Sequence, residues 1–243
     1  MAVPAPTWYV VHVALDDDPN RFGTPPFYAA IGRSFVAMCA VVPVLFGIEL
    51  IDNLTDQRLD LVGGIRPHDV RGLDGVVFAP FLHASFQHVT ANSAPLILLG
   101  TFVLAGGVKR FLASTAVIAV VSGVGTWLLG SPNTVVVGAS GVIFGYLGLL
   151  LTRGLIEGTW WGVAVGVLIG LLYGWQLVAL LPTNERISWQ AHLFGFLGGM
   201  LAAVLFRRRR PRRAGPPAGP APGGPNTGGP DTLALPTEPL TPG

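Results

Sequence analysis

The chain has 243 residues, of which 51% are hydrophobic and only 12% charged. A soluble domain carries roughly 25% charged residues, so about half the usual charge is missing and an ordinary water-soluble fold is excluded. The formal net charge of +2 comes mostly from an arginine cluster near the C-terminus, which suits anchoring at anionic lipid better than binding nucleic acid.

Residues 1–30 mix Asp16-Asp17-Asp18-Pro19 with Pro25-Pro26, which break any helix, and predict a short cytoplasmic arm. This stretch lacks the basic flank and apolar core of a signal peptide, so the first span is expected to act as its own insertion signal. Six windows are apolar enough to cross a hydrocarbon core of roughly 30 Å, or most of it. They are 31–51, 79–105, 111–129, 138–152, 159–181 and 189–206. Together they predict an all-α membrane protein, a polytopic bundle over 31–206. The fourth window is short and glycine-rich, so it is expected to start inside the protein rather than at lipid.

Between the first two windows, residues 52–78 alternate charges such as Asp56, Arg58, Asp60 and Arg66 with Leu59, Leu61, Val62 and Val70. That amphipathic character fits a segment lying in the membrane interface; an extracytoplasmic loop packed on the bundle is the alternative. After the last window, residues 207–243 are basic and then Pro/Gly-rich, a composition that cannot bury enough surface to fold. The single cysteine, Cys39, cannot form an internal disulfide, and no Cys/His cluster or His-Glu-x-x-His motif predicts a metal site.

Basic residues set the orientation. Arg21, Arg33, Lys109, Arg110, Arg153 and the arginines at 207–210, 212 and 213 fall on one side if six spans alternate. The positive-inside rule makes that side cytoplasmic, with both termini. The abundance of Gly, Ala, Pro and Arg points to a bacterial source with a GC-rich genome, and so to a plasma-membrane location.

Polar groups inside such spans default to a functional reading, because hydrocarbon offers them no hydrogen bonds. Ser140 lies in Gly138-Ala139-Ser140-Gly141 at the start of a span. The flanking glycines open the backbone to close approach, and a helix start offers orphan N–H groups to an oxyanion. Close helix packing through Gly141-x-x-x-Gly145 explains the same residues. His192 opens the last span, with Gly195 and Gly199 following it by one and two turns. If that glycine-lined helix packs on the serine-bearing one, His192 meets Ser140, and imidazole is suited to take a hydroxyl proton. On the second window His88 and Asn92 are one turn apart and project together. Two such donors suit an oxyanion; polar contact between helices is the other reading. His83 lies about 140° round the helix from His88 at 100° per residue and is expected to serve another contact.

In combination, these residues resemble the rhomboid family of intramembrane serine proteases over 31–206. The resemblance rests on the serine motif, the Ala191-His192 start of the last span with its glycines, and the His83/His88/Asn92 set. It implies a six-helix bundle around a short central serine-bearing helix, and a Ser140–His192 pair without a third carboxylate. It also implies an oxyanion hole from His88, Asn92 and the Ser140 N–H, a structural His83, and Phe144 stacked on the histidine ring. Phe144 stands where the family often has tyrosine, and the Trp-Arg pair of some members is missing from the first loop. The resemblance further implies transmembrane protein substrates, unwound locally before cleavage, and no cofactor. A substrate helix would enter beside the fifth span, under a cap formed by 181–188. A rhomboid-like protein that binds transmembrane helices without cleaving them is the alternative, as is a small transporter. Oligomeric state is not legible.

Overall fold

The computed structural model describes residues 23–157 and 188–207, with positions 164, 167, 168 and 171 between them. Residues 1–22 of the expected N-terminal arm, most of the fifth window, the 181–188 cap up to Ile187 and the tail beyond Arg207 lie outside the described residues, while residues 25–30 of that arm belong to the first helix. Seven α-helices lie within the described residues: α1 (Pro25–Leu54), α2 (Arg58–Gly63), α3 (Gly75–Phe78), α4 (Phe86–Ala105), α5 (Val108–Leu129), α6 (Ser140–Glu157) and α7 (Trp189–Leu205). The fold is all-α; the one isolated β-bridge among the described residues joins Ile65 to Val136. Helices α1, α4 and α5 are each long and apolar enough to cross a membrane, and α6 and α7 are shorter apolar helices.

Pro25 and Pro26 start a helix instead of breaking one. They occupy its first two positions, where no N–H is needed, and the Thr24 side chain caps it by accepting from Phe27 N at 3.4 Å. Helix α1 buries one stripe, Ala30, Ser34, Met38, Leu45, Glu49 and Asp52, spaced by three, four or seven residues as a helix face requires. Met38 presses on Gly100 of α4, where a Cβ would collide with the methionine's methyl group. The opposite face, with Val36, Val44 and Leu54, is exposed, as a lipid-facing surface should be.

The amphipathic 52–78 stretch packs on the bundle with part of its apolar surface exposed. Its Leu61, Val62, Val70 and Phe78 are exposed, while its other side docks on α5. Val76 sits on Gly123 and Pro67 on Gly130. His68 N and Nε2 donate to Trp127 O and Leu128 O at 3.1 and 2.9 Å, and Trp127 Nε1 donates to Asp69 O at 2.8 Å. The two His68 bonds consume carbonyls at the C-terminal end of α5 that no intrahelical N–H can reach.

Helix α6 is the centre of the molecule. Every residue from Gly141 to Leu150 is buried, the pattern of a helix that is apolar all round. Five of the cluster's largest members, Ile143, Phe144, Tyr146, Leu147 and Leu149, lie on it and pack with Val89, Leu96 and Leu99 of α4 and Ile118 of α5. The Tyr146 hydroxyl meets Thr115 Oγ1 at 2.8 Å, which satisfies a phenol that could not stay unpaired there.

Candidate active site

The stretch leading to Ser140 is extended and held from the side. Ile65 and Val136 exchange N–H···O bonds of 2.9 Å in both directions, and Gly138 N donates to Ala79 O at 2.9 Å. Ala139 N donates to His83 Nε2 at 3.4 Å, so His83 carries its ring proton on Nδ1. Gly138 adopts φ +125, a conformation that a Cβ would strain. The chain then turns into α6 with Ser140 as its first residue, whose N–H therefore has no acceptor within the helix.

His192 reaches this point from α7. Ser188 caps that helix by accepting from Ala191 N at 3.3 Å, and the His192 side chain is buried. Its Nε2 lies 2.9 Å from Ser140 Oγ. The Phe144 ring, one turn after Ser140, stacks on the imidazole with centroids 4.3 Å apart and planes at 17°. The two helices come this close because of glycine. A Cβ on Gly195 would run into the Gly141 carbonyl oxygen, and one on Gly199 into that of Gly145. Backbone therefore rests on backbone along the whole seam.

On the other side of Ser140 stands α4. Ser85 caps it, its Oγ accepting from His88 N at 3.2 Å. His88 and Asn92 both face Gly138: a Cβ there would lie 2.9 Å from His88 Nε2 and 3.8 Å from Asn92 Nδ2. Asn92 Nδ2 is buried without an acceptor, so an amide donor stands idle next to the serine motif. His83 does not lie on the helix assigned to it from the 79–105 window. Helix α4 begins at Phe86, and residues 82–85 are not helical. Its ring nevertheless packs edge-on against His88, with centroids 5.1 Å apart, and its Nε2 supports the backbone just before Ser140.

Eight of the nine residues singled out from the sequence thus lie around Ser140, and Gly199 lies further along the α6–α7 seam, against Gly145. The sequence reading missed Ser122, whose hydroxyl donates to Ala191 O at 2.8 Å, and Gln190, whose Nε2 donates to Leu129 O at 3.2 Å. It also did not foresee that the carboxyl groups of Glu49, Asp52 and Asp60 are buried. A hydroxyl inside the apolar 111–129 window was the available signal for Ser122.

Comparison with known proteins defines the class. Residues 71–209 match the family model of the Rhomboid domain, and the chain belongs to the rhomboid family. It is accordingly an integral membrane protein. The following relatives are bacterial. An uncharacterized protein of Mycobacterium tuberculosis is 42% identical over 191 residues, covering 73% of this chain and 79% of the relative. An uncharacterized Mycobacterium leprae protein is 38% identical over 178 residues, 70% of each chain. The Bacillus subtilis protein named "Putative rhomboid protease YdcA" is 32% identical over 140 residues, 54% of this chain and 66% of the relative.

Proposed function

We propose that this protein is an intramembrane serine endopeptidase that cleaves transmembrane or juxtamembrane segments of other membrane proteins. The observation that carries the reading is the 2.9 Å approach of His192 Nε2 to Ser140 Oγ, within a chain of the rhomboid family. A serine hydroxyl is a weak nucleophile until a base takes its proton. Nε2 accepts that proton as Oγ attacks the substrate carbonyl, and returns it to the leaving amine. Water then attacks the acyl-enzyme through the same base. The Phe144 ring and the glycine seam hold the imidazole in plane with its target, a positioning task that other serine hydrolases give to a carboxylate.

Attack places negative charge on the former carbonyl oxygen. Three donors border the place it would occupy: the Ser140 N–H, His88 Nε2 and Asn92 Nδ2. An amide held without an acceptor in the resting protein needs no reorganisation to bind the oxyanion. Gly138 keeps that place open, since any side chain there would fill it. The arginine distribution supports a plasma-membrane protein with both termini in the cytoplasm.

The test uses detergent-solubilised full-length protein and a fluorophosphonate probe, with cleavage of transmembrane substrates in liposomes as the second readout. Wild type is expected to label and to cleave; Ser140→Ala and His192→Ala are expected to do neither while expressing normally. Cleavage retained in Ser140→Ala, or a wild type inert to both, would remove the protease reading and leave a non-catalytic helix-binding rhomboid.

A further inference from the structure

We infer that Ser122 of α5 is a positioning residue for the Ser140–His192 pair: its hydroxyl fixes the first turn of α7 in the register that presents the imidazole to Oγ. This rests on the protease reading. Hydroxyls in apolar helices ordinarily bond back to their own helix, one turn earlier. Ser93, Thr101 and Thr115 do so here, to Val89 O, Ile97 O and Phe111 O at 2.6–2.7 Å. Ser122 instead reaches across to α7 and donates to Ala191 O at 2.8 Å, in a buried bond. That carbonyl belongs to the peptide unit that leads directly into His192.

The same oxygen also lies beside the neighbour of the pair's other member. A Cβ on Gly141 would collide with Ser122 Oγ, so the side chain lies against the residue that follows the serine. One hydroxyl thus contacts the immediate neighbours of both reacting residues. Two further contacts extend the rail along α5: the Phe194 ring covers Gly125, and Gln190 Nε2 bonds Leu129 O at 3.2 Å. Residues 122, 125 and 129 follow one helix face, and 190, 191 and 194 meet them from α7. Of these contacts the Ser122 bond is the one adjoining His192. Without it, rotation of the α7 first turn is opposed only by packing and by the Gln190 bond at the far end of the rail, and the imidazole swings relative to Oγ.

The experiment compares wild type with Ser122→Ala and with Ser122→Cys, which fills similar space but donates weakly. The rate of fluorophosphonate labelling at Ser140, kcat and KM on a transmembrane substrate, and Tm are measured on the full-length protein. In Ser122→Ala, labelling and kcat are expected to fall together by about ten- to a hundredfold, the cost of an imidazole displaced by up to roughly 1 Å. KM and Tm should hold, and Ser122→Cys should fall between the two. Labelling at the wild-type rate in Ser122→Ala overturns the inference while the protease reading stands. A loss that instead tracks Tm, or that Ser122→Cys does not share, also overturns it, because the side chain then only fills space. A wild type that never labels marks the failure of the protease reading itself.

Discussion

Gly195→Ala gives a prediction whose sign separates the packed seam from an ordinary helix. In the interior of a helix, replacing glycine by alanine stabilises by about 1 kcal/mol where space permits, because glycine loses more backbone freedom on folding. At Gly195 the new Cβ would land on the Gly141 carbonyl oxygen, a backbone atom that cannot turn aside. Helices α6 and α7 must then part by on the order of 1 Å, and overpacking of this kind costs about 1–3 kcal/mol. The separation falls one turn from His192 and stretches the 2.9 Å Nε2···Oγ contact beyond hydrogen-bonding range. A misplacement of about 1 Å costs on the order of a hundredfold in rate. Gly32 and Gly47 of α1, where a Cβ would meet nothing within 4 Å, serve as internal controls. Thermal unfolding in detergent should rank Gly195→Ala below wild type, and Gly32→Ala and Gly47→Ala at or above it. Fluorophosphonate labelling should drop only in the first. A Gly195→Ala protein as stable and as quickly labelled as wild type would show that the seam has slack and that the reasoning is wrong.

Asn92→Ala should lower kcat on the order of 10²–10³-fold, the usual cost of one oxyanion donor. Because Asn92 Nδ2 has no acceptor in the resting protein, Tm should not fall; a Tm loss with kcat intact would assign the amide to structure instead. Asp60, in α2, is pushed up to about 7, first by burial and then by the Asp52 and Glu49 carboxylates beside it. A carboxyl raised in the folded state binds its proton more tightly there than when unfolded. Its stabilisation is therefore full below the ordinary carboxylate range, near 3.8, and fades as pH rises through about 7. Tm should thus decline between pH 5 and pH 8 in wild type and decline less in Asp60→Asn; equal slopes would exclude Asp60 as the source.

Much of this architecture was legible because hydrocarbon makes polarity conspicuous. Ser140, His88, Asn92 and His192 stood out as polar groups in apolar windows, and the glycines after His192 announced a close helix contact. The 79–105 window misplaced the start of α4, since Leu82 and Ala84 are as apolar as helix interiors. Only Ser85, a capping residue, marks the boundary. Pro25-Pro26 misled for a related reason: proline breaks a helix interior but suits its first turn, and composition does not say which applies. Asp60 reads as one more charge of the amphipathic 52–78 stretch. Its burial follows from how α2 packs against α1, which no periodicity encodes, whereas the spacing of Glu49 and Asp52 does place them on the buried stripe of α1. Ser122 was similarly invisible as a contact, because a serine bonding its own helix and one reaching across to another have identical local sequences.

The ten residues from Gly141 to Leu150 are shielded on every side by protein. Exchanging bilayer for micelle therefore changes the medium around the outer faces of α1, α4 and α5 but leaves the immediate surroundings of this central helix as they were. The imidazole of His192, itself buried, likewise keeps protein around it when the protein is extracted. Rate differences between lipid and detergent should accordingly originate in how a substrate arrives and not in the chemistry that follows.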